Sequence, residues 1–163
     1  MQSGIKCGYG ISRGICQNRT NLDADNAYLK SKVADMKWLE FGLLALGAVI
    51  GAYLRYRMVE SPVTFFGLPV NVLMVNVSGS FILGLFSVLS LAFNLDSRYT
   101  LFMAIGFCGS YTTMSSFELE TVNLMDNHRL GAAALDMAAN VGFSFVAVIL
   151  GRLLGTAVVE RVF

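Results

Sequence analysis

Residues 106–120 read GFCGSYTTMSSFELE, with hydroxyls at Ser110, Tyr111, Thr112, Thr113, Ser115 and Ser116 directly after Gly109. Hydroxyls donate and accept hydrogen bonds. Clustered without an adjacent base, they offer solvation rather than nucleophilic chemistry. The run interrupts an apolar segment that begins near Tyr99 and ends at about Met125. A membrane-spanning helix satisfies its own backbone and has no need of it. Two readings fit. Gly109 and the hydroxyls permit a helix break that aims carbonyls and amides at a wet cavity, or they are glue between packed helices.

Other polar residues sit in equally apolar surroundings. Asn76 lies well inside LPVNVLMVNVSGSFILGLFSVLSLAF, with Gly79 and Ser80 on the same helical face. An amide at that depth is costly without partners, so it is either interhelical glue or a hydrogen-bond donor to something passing through. Asp136, Asn140 and Ser144 recur at every fourth residue and form one stripe. Met114 and Phe117 share a face, and Ser116 and Glu120 share an adjacent one. An aromatic ring carries positive charge at its edge, which can attract an anion, although the same spacing also fits core packing. Glu118 and Glu120, toward the end of the segment, also fit as solvated acids. Arg55 and Arg57 end the first apolar segment, where long side chains reach the headgroups. Polar stripes on the last three segments, with little on the first beyond its end, describe a narrow polar path.

The elements that must hold these residues are membrane helices. The chain is 163 residues long, 55% hydrophobic and only 14% charged, with a mean hydropathy of +0.61. Soluble domains are about one quarter charged. Apolar segments cover residues 39–56, 68–93, 99–125 and 131–159. Each is near or above the roughly 20 residues that span a hydrocarbon core, and the loops between them leave no room for a soluble domain. The fold class is therefore all-α membrane protein, with four transmembrane helices over residues 36–163. Glycine pairs such as Gly47 with Gly51 and Gly151 with Gly155 permit close helix packing.

Residues 1–35 lack periodicity and the apolar core of a signal peptide. They are expected to be a disordered tail or an extension upstream of a start at Met36. Counted from Met36, Lys37, Arg98, Arg161 and Arg152 fall on one side of the membrane, and Arg55, Arg57 and Arg129 on the other. So even a balance gives little orienting bias, and two opposite copies can then pair as an antiparallel dimer.

Several chemistries find no support. No phosphate-binding loop and no nucleophile–base arrangement is present, and Cys7 and Cys16 lack companions to complete a metal site. Cys108 reads as a packed thiol, and His128 has no ligand cluster around it. Nothing points to an enzyme. A small proton-coupled exporter would want a carboxylate within its first helix, where only Glu40 stands, near the end; Asp136 and Glu120 are the acids that would have to substitute. A structural membrane subunit without transport of its own is the third class.

In order along the chain, GAVIGAYLRY, VNVSGSFILG and GFCGSYTTMSSFELE resemble the CrcB/Fluc family of fluoride channels, from about Leu39 to Gly155. The third motif is highly specific, and the first two would be weak alone. The resemblance implies a passive, fluoride-selective channel that exports toxic fluoride across the cell membrane. It also implies a dual-topology antiparallel homodimer with a broken third helix, two fluoride pathways and a sodium ion at the interface. Asn76 would then be the pore amide, and Met114 and Phe117 would occupy the family's phenylalanine pair. Ser115 or Ser116, with Glu120, would continue a polar track, and Ser144 would face the pore. The backbone carbonyls of Gly109 and Thr112 would hold sodium, and Arg55 would attract anions in the vestibule. Met114 departs from the family pattern: it keeps the volume of phenylalanine but lacks the ring quadrupole.

Overall fold

The computed structural model describes residues 38–60, 63–65 and 68–162. The readings of residues 1–35, Cys7, Cys16 and the start at Met36 lie outside these described residues.

Helix α1 (Trp38–Glu60) leads through a two-residue antiparallel pair, β1 (Thr64–Phe65) and β2 (Leu68–Pro69), into α2 (Asn71–Ala92). Asn71, the first residue of α2, ties this connector down. Its Oδ1 accepts from the Val63 amide at 2.6 Å, and its Nδ2 donates to the Met58 carbonyl at the end of α1.

The next apolar stretch is not one helix. It comprises a single turn α3 (Ser97–Thr100), a π-helical segment (Leu101–Cys108), a short α4 (Gly109–Tyr111) and, after a break, α5 (Met114–Asp126). The chain closes with α6 (Leu130–Val162), 33 residues that rise about 50 Å along the axis, well beyond a hydrocarbon core of about 30 Å. Among the described residues, α1, α2 and α6 are long and apolar enough to cross a membrane.

Asn94 and His128 end α2 and α5 with positive φ, 46° and 57°. In each case the following amide reaches back to the preceding helix: Leu95 N–H to Ser90 C=O at 2.9 Å, and Arg129 N–H to Leu124 C=O at 2.9 Å. This is the left-handed cap that satisfies a helix's last carbonyls. It gives His128 a structural place at the end of α5.

Close packing comes from glycine, at sites where a side chain has no room. A Cβ at Gly47 would collide with the Phe102 carbonyl and lie 3.0 Å from the Phe107 amide, and one at Gly51 would collide with the Phe107 carbonyl. The Gly47/Gly51 face of α1 thus rests directly on the backbone of the π-helical segment. Phe107 and Tyr111 stack with ring centroids 5.6 Å apart, and the Tyr111 hydroxyl meets Ser78 Oγ at 3.0 Å. The broken segment is therefore wedged between α1 and α2.

Candidate functional site

The break occupies two residues. Thr112 (φ −71°, ψ 156°) and Thr113 (φ −147°, ψ 118°) are extended between α4 and α5. Thr113 caps α5, its Oγ1 accepting from the Ser116 amide at 3.3 Å and donating to Ser116 Oγ at 3.0 Å. Threonine at this position satisfies one of the amides that a helix start leaves open. Gly79 on α2 makes room for the break: a Cβ there would lie 2.5 Å from Thr112 Cγ2 and 3.0 Å from Tyr111 Cδ1.

Breaking the helix redirects two amides. In a continuous helix the Thr113 N–H would bond to the Gly109 carbonyl; instead it donates to Asn76 Oδ1 at 2.8 Å. Ser116 N–H would bond to the Thr112 carbonyl and instead meets Thr113 Oγ1. The carbonyls of Gly109 and Thr112 thus lose their regular helical donors.

Asn76 is the centre of the cluster. Its Nδ2 donates to the Thr113 carbonyl and to Asn140 Oδ1, both at 3.1 Å. Asn140 Nδ2 in turn donates to Asp136 Oδ1 at 3.0 Å, and Thr121 Oγ1 donates to Asp136 Oδ2 at 2.9 Å. One relay therefore links the break, α2, α6 and α5. Thr113, Thr121, Asp136 and Asn140 are all buried, at 3–6% exposure.

Beside the relay lies a cavity of about 340 Å³ whose lining includes Asn76, Ser80, Cys108, Thr113, Phe117 and Ser144. Met114, Gly109 and Thr112 line it too. The structure thus brings together six of the ten residues singled out from the sequence. Phe117 is buried, whereas Met114, the first residue of α5, is 63% exposed. Ser115, Ser116, Glu120 and Arg55 lie off this cavity. Ser115 is exposed beside Thr113 Oγ1 at 3.4 Å, and Ser116 faces the cap. Arg55 sits near the end of α1. Among the described residues, Ser144 Oγ and Glu120 Oε2 are buried with no hydrogen-bond partner, and unpaired buried polar atoms are uncommon enough to call for an account.

Sequence reading did not assign Thr113 a role of its own; it saw Asn140 only as part of a stripe, and Asp136 as part of that stripe or as a substitute acid for a proton-coupled exporter. The cap preference of threonine ahead of a helical run was a usable signal for Thr113. Thr121 carried none, because its partner comes from another helix.

Comparison with known proteins is concordant. The family described as CrcB-like protein, Camphor Resistance (CrcB) matches residues 42–152. The fluoride-specific ion channel FluC of Nitrosopumilus maritimus is 56% identical over 126 residues, covering 77% of this chain and 100% of that protein. The FluC proteins of Sulfurihydrogenibium sp. and Methanocaldococcus jannaschii are 44% and 40% identical over 69% and 73% of this chain, and over 93% and 96% of their own lengths. With three apolar helices of spanning length, the molecule is a mostly helical, multi-pass membrane protein. A match across most of the bundle, and relatives this similar over nearly their whole length, make the chain a member of the CrcB family.

Proposed function

We propose that this chain is a passive, fluoride-selective ion channel of the cell membrane that exports fluoride from the cytoplasm, and that it has no enzymatic step. The observation that carries the reading is the amide-and-hydroxyl cluster at a helix break, set beside a cavity in an otherwise apolar bundle. The names of the relatives supply the ion.

Fluoride is small and strongly hydrated. Placing such an ion in a medium of low dielectric costs on the order of 20 kcal/mol in idealised Born terms. One hydrogen bond to a charged partner returns only about 1.5–3 kcal/mol net, so several donors must act together, each weak enough to let the ion leave. Asn76 Nδ2 is one such donor. Its hydrogens are engaged by the Thr113 carbonyl and Asn140 Oδ1, so fluoride must compete for them. Ser144 Oγ has no partner among the described residues and supplies a second donor without competition. The Phe117 ring lines the same cavity and offers its positive edge. Met114 stands where the family has a second ring and offers a soft, polarisable surface instead. Ser115 or Ser116, with Glu120, extends the polar track along α5, and Arg55 draws anions electrostatically at the vestibule.

The assembly in this reading is an antiparallel, dual-topology homodimer. Each subunit crosses the membrane four times, with the broken segment as its third crossing. The near-even placement of Arg55, Arg57 and Arg129 against Lys37, Arg98, Arg152 and Arg161 supports insertion in both directions. A structural sodium ion fits the residues present. The carbonyls of Gly109 and Thr112, released from regular helical donors by the break, are the hard oxygen ligands it takes. When bound, the ion supplies a fixed positive charge close to the anion's route.

The test is fluoride efflux from liposomes reconstituted with purified protein, followed with a fluoride electrode under a valinomycin-set potassium gradient. Fast, electrically driven efflux that excludes chloride and is lost in Asn76→Ala is expected. Flux that demands a proton gradient, or its absence from folded protein, overturns the reading.

A further inference from the structure

Asp136 does not line the cavity, yet it is 3% exposed and carries a carboxylate into an apolar bundle beside an anion's route. Among the described residues no cation pairs with it. A buried unpaired carboxylate is costly and repels an anion, so its presence demands a reason. We infer that Asp136 is a positioning residue that acts through Asn140 on Asn76 and sets the direction of the amide relay at the cavity wall. The inference rests on the fluoride-channel reading and extends it to a residue off the pathway.

The geometry allows the relay only one polarity. An amide can be turned end for end, exchanging its oxygen and nitrogen with little change in shape. Both carboxyl oxygens of Asp136 accept, Oδ1 from Asn140 Nδ2 at 3.0 Å and Oδ2 from Thr121 Oγ1 at 2.9 Å, and its main-chain carbonyl, which can only accept, lies 3.3 Å from the same Asn140 Nδ2. Turning Asn140 would set its oxygen against Oδ1, acceptor facing acceptor. Asn140 must therefore present Oδ1 to Asn76, which holds one Asn76 Nδ2 hydrogen at 3.1 Å. Thr113 takes the remaining groups, its carbonyl at 3.1 Å and its amide at 2.8 Å. Asn76 is thereby fully satisfied and held in one orientation. One of the two hydrogens for which fluoride competes is the one aimed at Asn140, and how firmly it is held depends on the acceptors behind Asn140. Without the carboxylate, only the main-chain carbonyl of residue 136, 3.3 Å from Asn140 Nδ2, still holds the amide, and Asn140 turns more readily to set donor against donor at Asn76.

Full-length wild type, Asp136→Ala, Asp136→Asn, Asn140→Ala and the Asp136→Ala/Asn140→Ala double variant are compared by fluoride efflux from liposomes. Side-chain amide NMR of Asn76 and Asn140 runs in parallel. Loss of an acceptor from a buried donor is expected to slow efflux about tenfold in Asp136→Ala. Asp136→Asn keeps an oxygen in place and is expected to recover to within about threefold of wild type. The double variant is expected to be no slower than Asn140→Ala, and the Asn76 amide resonances are expected to move in Asp136→Ala. Efflux at the wild-type rate in Asp136→Ala overturns the inference, as does a double variant whose losses multiply. If Asp136→Ala does not fold, Asn76 resonances that stay in place in Asn140→Ala overturn it instead. Wild type that passes no fluoride while the two amides shift together overturns the channel reading and leaves the positioning role standing.

Discussion

Helices α2 and α6 pack along their length, and two stretches of that contact have opposite character. Toward one end, Gly84 rests on the backbone at Val148 and Gly151 on the backbone at Phe81. A Cβ at either glycine would strike the facing carbonyl, and at Gly151 it would lie 2.8 Å from the Leu85 amide. Toward the other end, Asn76 and Asn140 face each other across a 3.1 Å hydrogen bond with the cavity beside them. Small residues bring backbones together and leave nothing for an ion. Amides join the same two helices through side chains and border a cavity. The glycine contact acts as a clamp, and the amide contact borders the cavity that the proposed fluoride route would use.

Substitutions separate the two roles. Gly151→Leu has the largest expected effect, because the neighbour it strikes is backbone and cannot step aside. Destabilisation of about 3 kcal/mol or more is expected to show as an early thermal transition and aggregated elution in detergent. Asn76→Ala removes partners from the Thr113 amide and from Asn140 Oδ1. Its efflux is expected to fall about a hundredfold, while a stability loss of about 2–4 kcal/mol leaves a folded population; wild-type efflux would place the pathway elsewhere. Ser144→Ala deletes a buried hydroxyl that lacks a partner within the subunit. Stability is expected to hold within about 0.5 kcal/mol of wild type while efflux slows about fivefold, and a stability loss with unchanged efflux would make Ser144 structural. Met114→Phe is expected to do least. Met114 is exposed on the single subunit, and ring and thioether are similar in volume, so efflux is expected to stay within about twofold. A larger gain would show that the ring edge matters at that position.

The apolar lengths and the helix class were legible because burying the backbone in a membrane leaves few options, and the residues that serve it are contiguous. The GFCGSYTTMSSFELE run announced a discontinuity, since hydroxyls and Gly109 stand where helix-forming apolar residues would suffice, and the break falls within it at Thr112 and Thr113. Asn76 was visible as an amide at a forbidding depth. The π-helical turn over Leu101–Cys108 was not legible, because LFMAIGFC suits an α-helix as well; the glycine contacts with α1 lie against it only in three dimensions.

What the sequence by itself determined is thus the set of local demands: apolar lengths that need a bilayer, polar groups that need partners, and glycines that need close neighbours. Tertiary structure alone decided which groups meet. Thr121 reaches Asp136 from another helix, Asn140 turns its oxygen to Asn76, and Glu120 and Ser116 fall away from the cavity that Met114 and Phe117 line. The physical reason is that a hydrogen bond between helices depends on their relative rotation and depth, which no single segment encodes. In this molecule the glycine contacts and the break at Thr112 and Thr113 determine both.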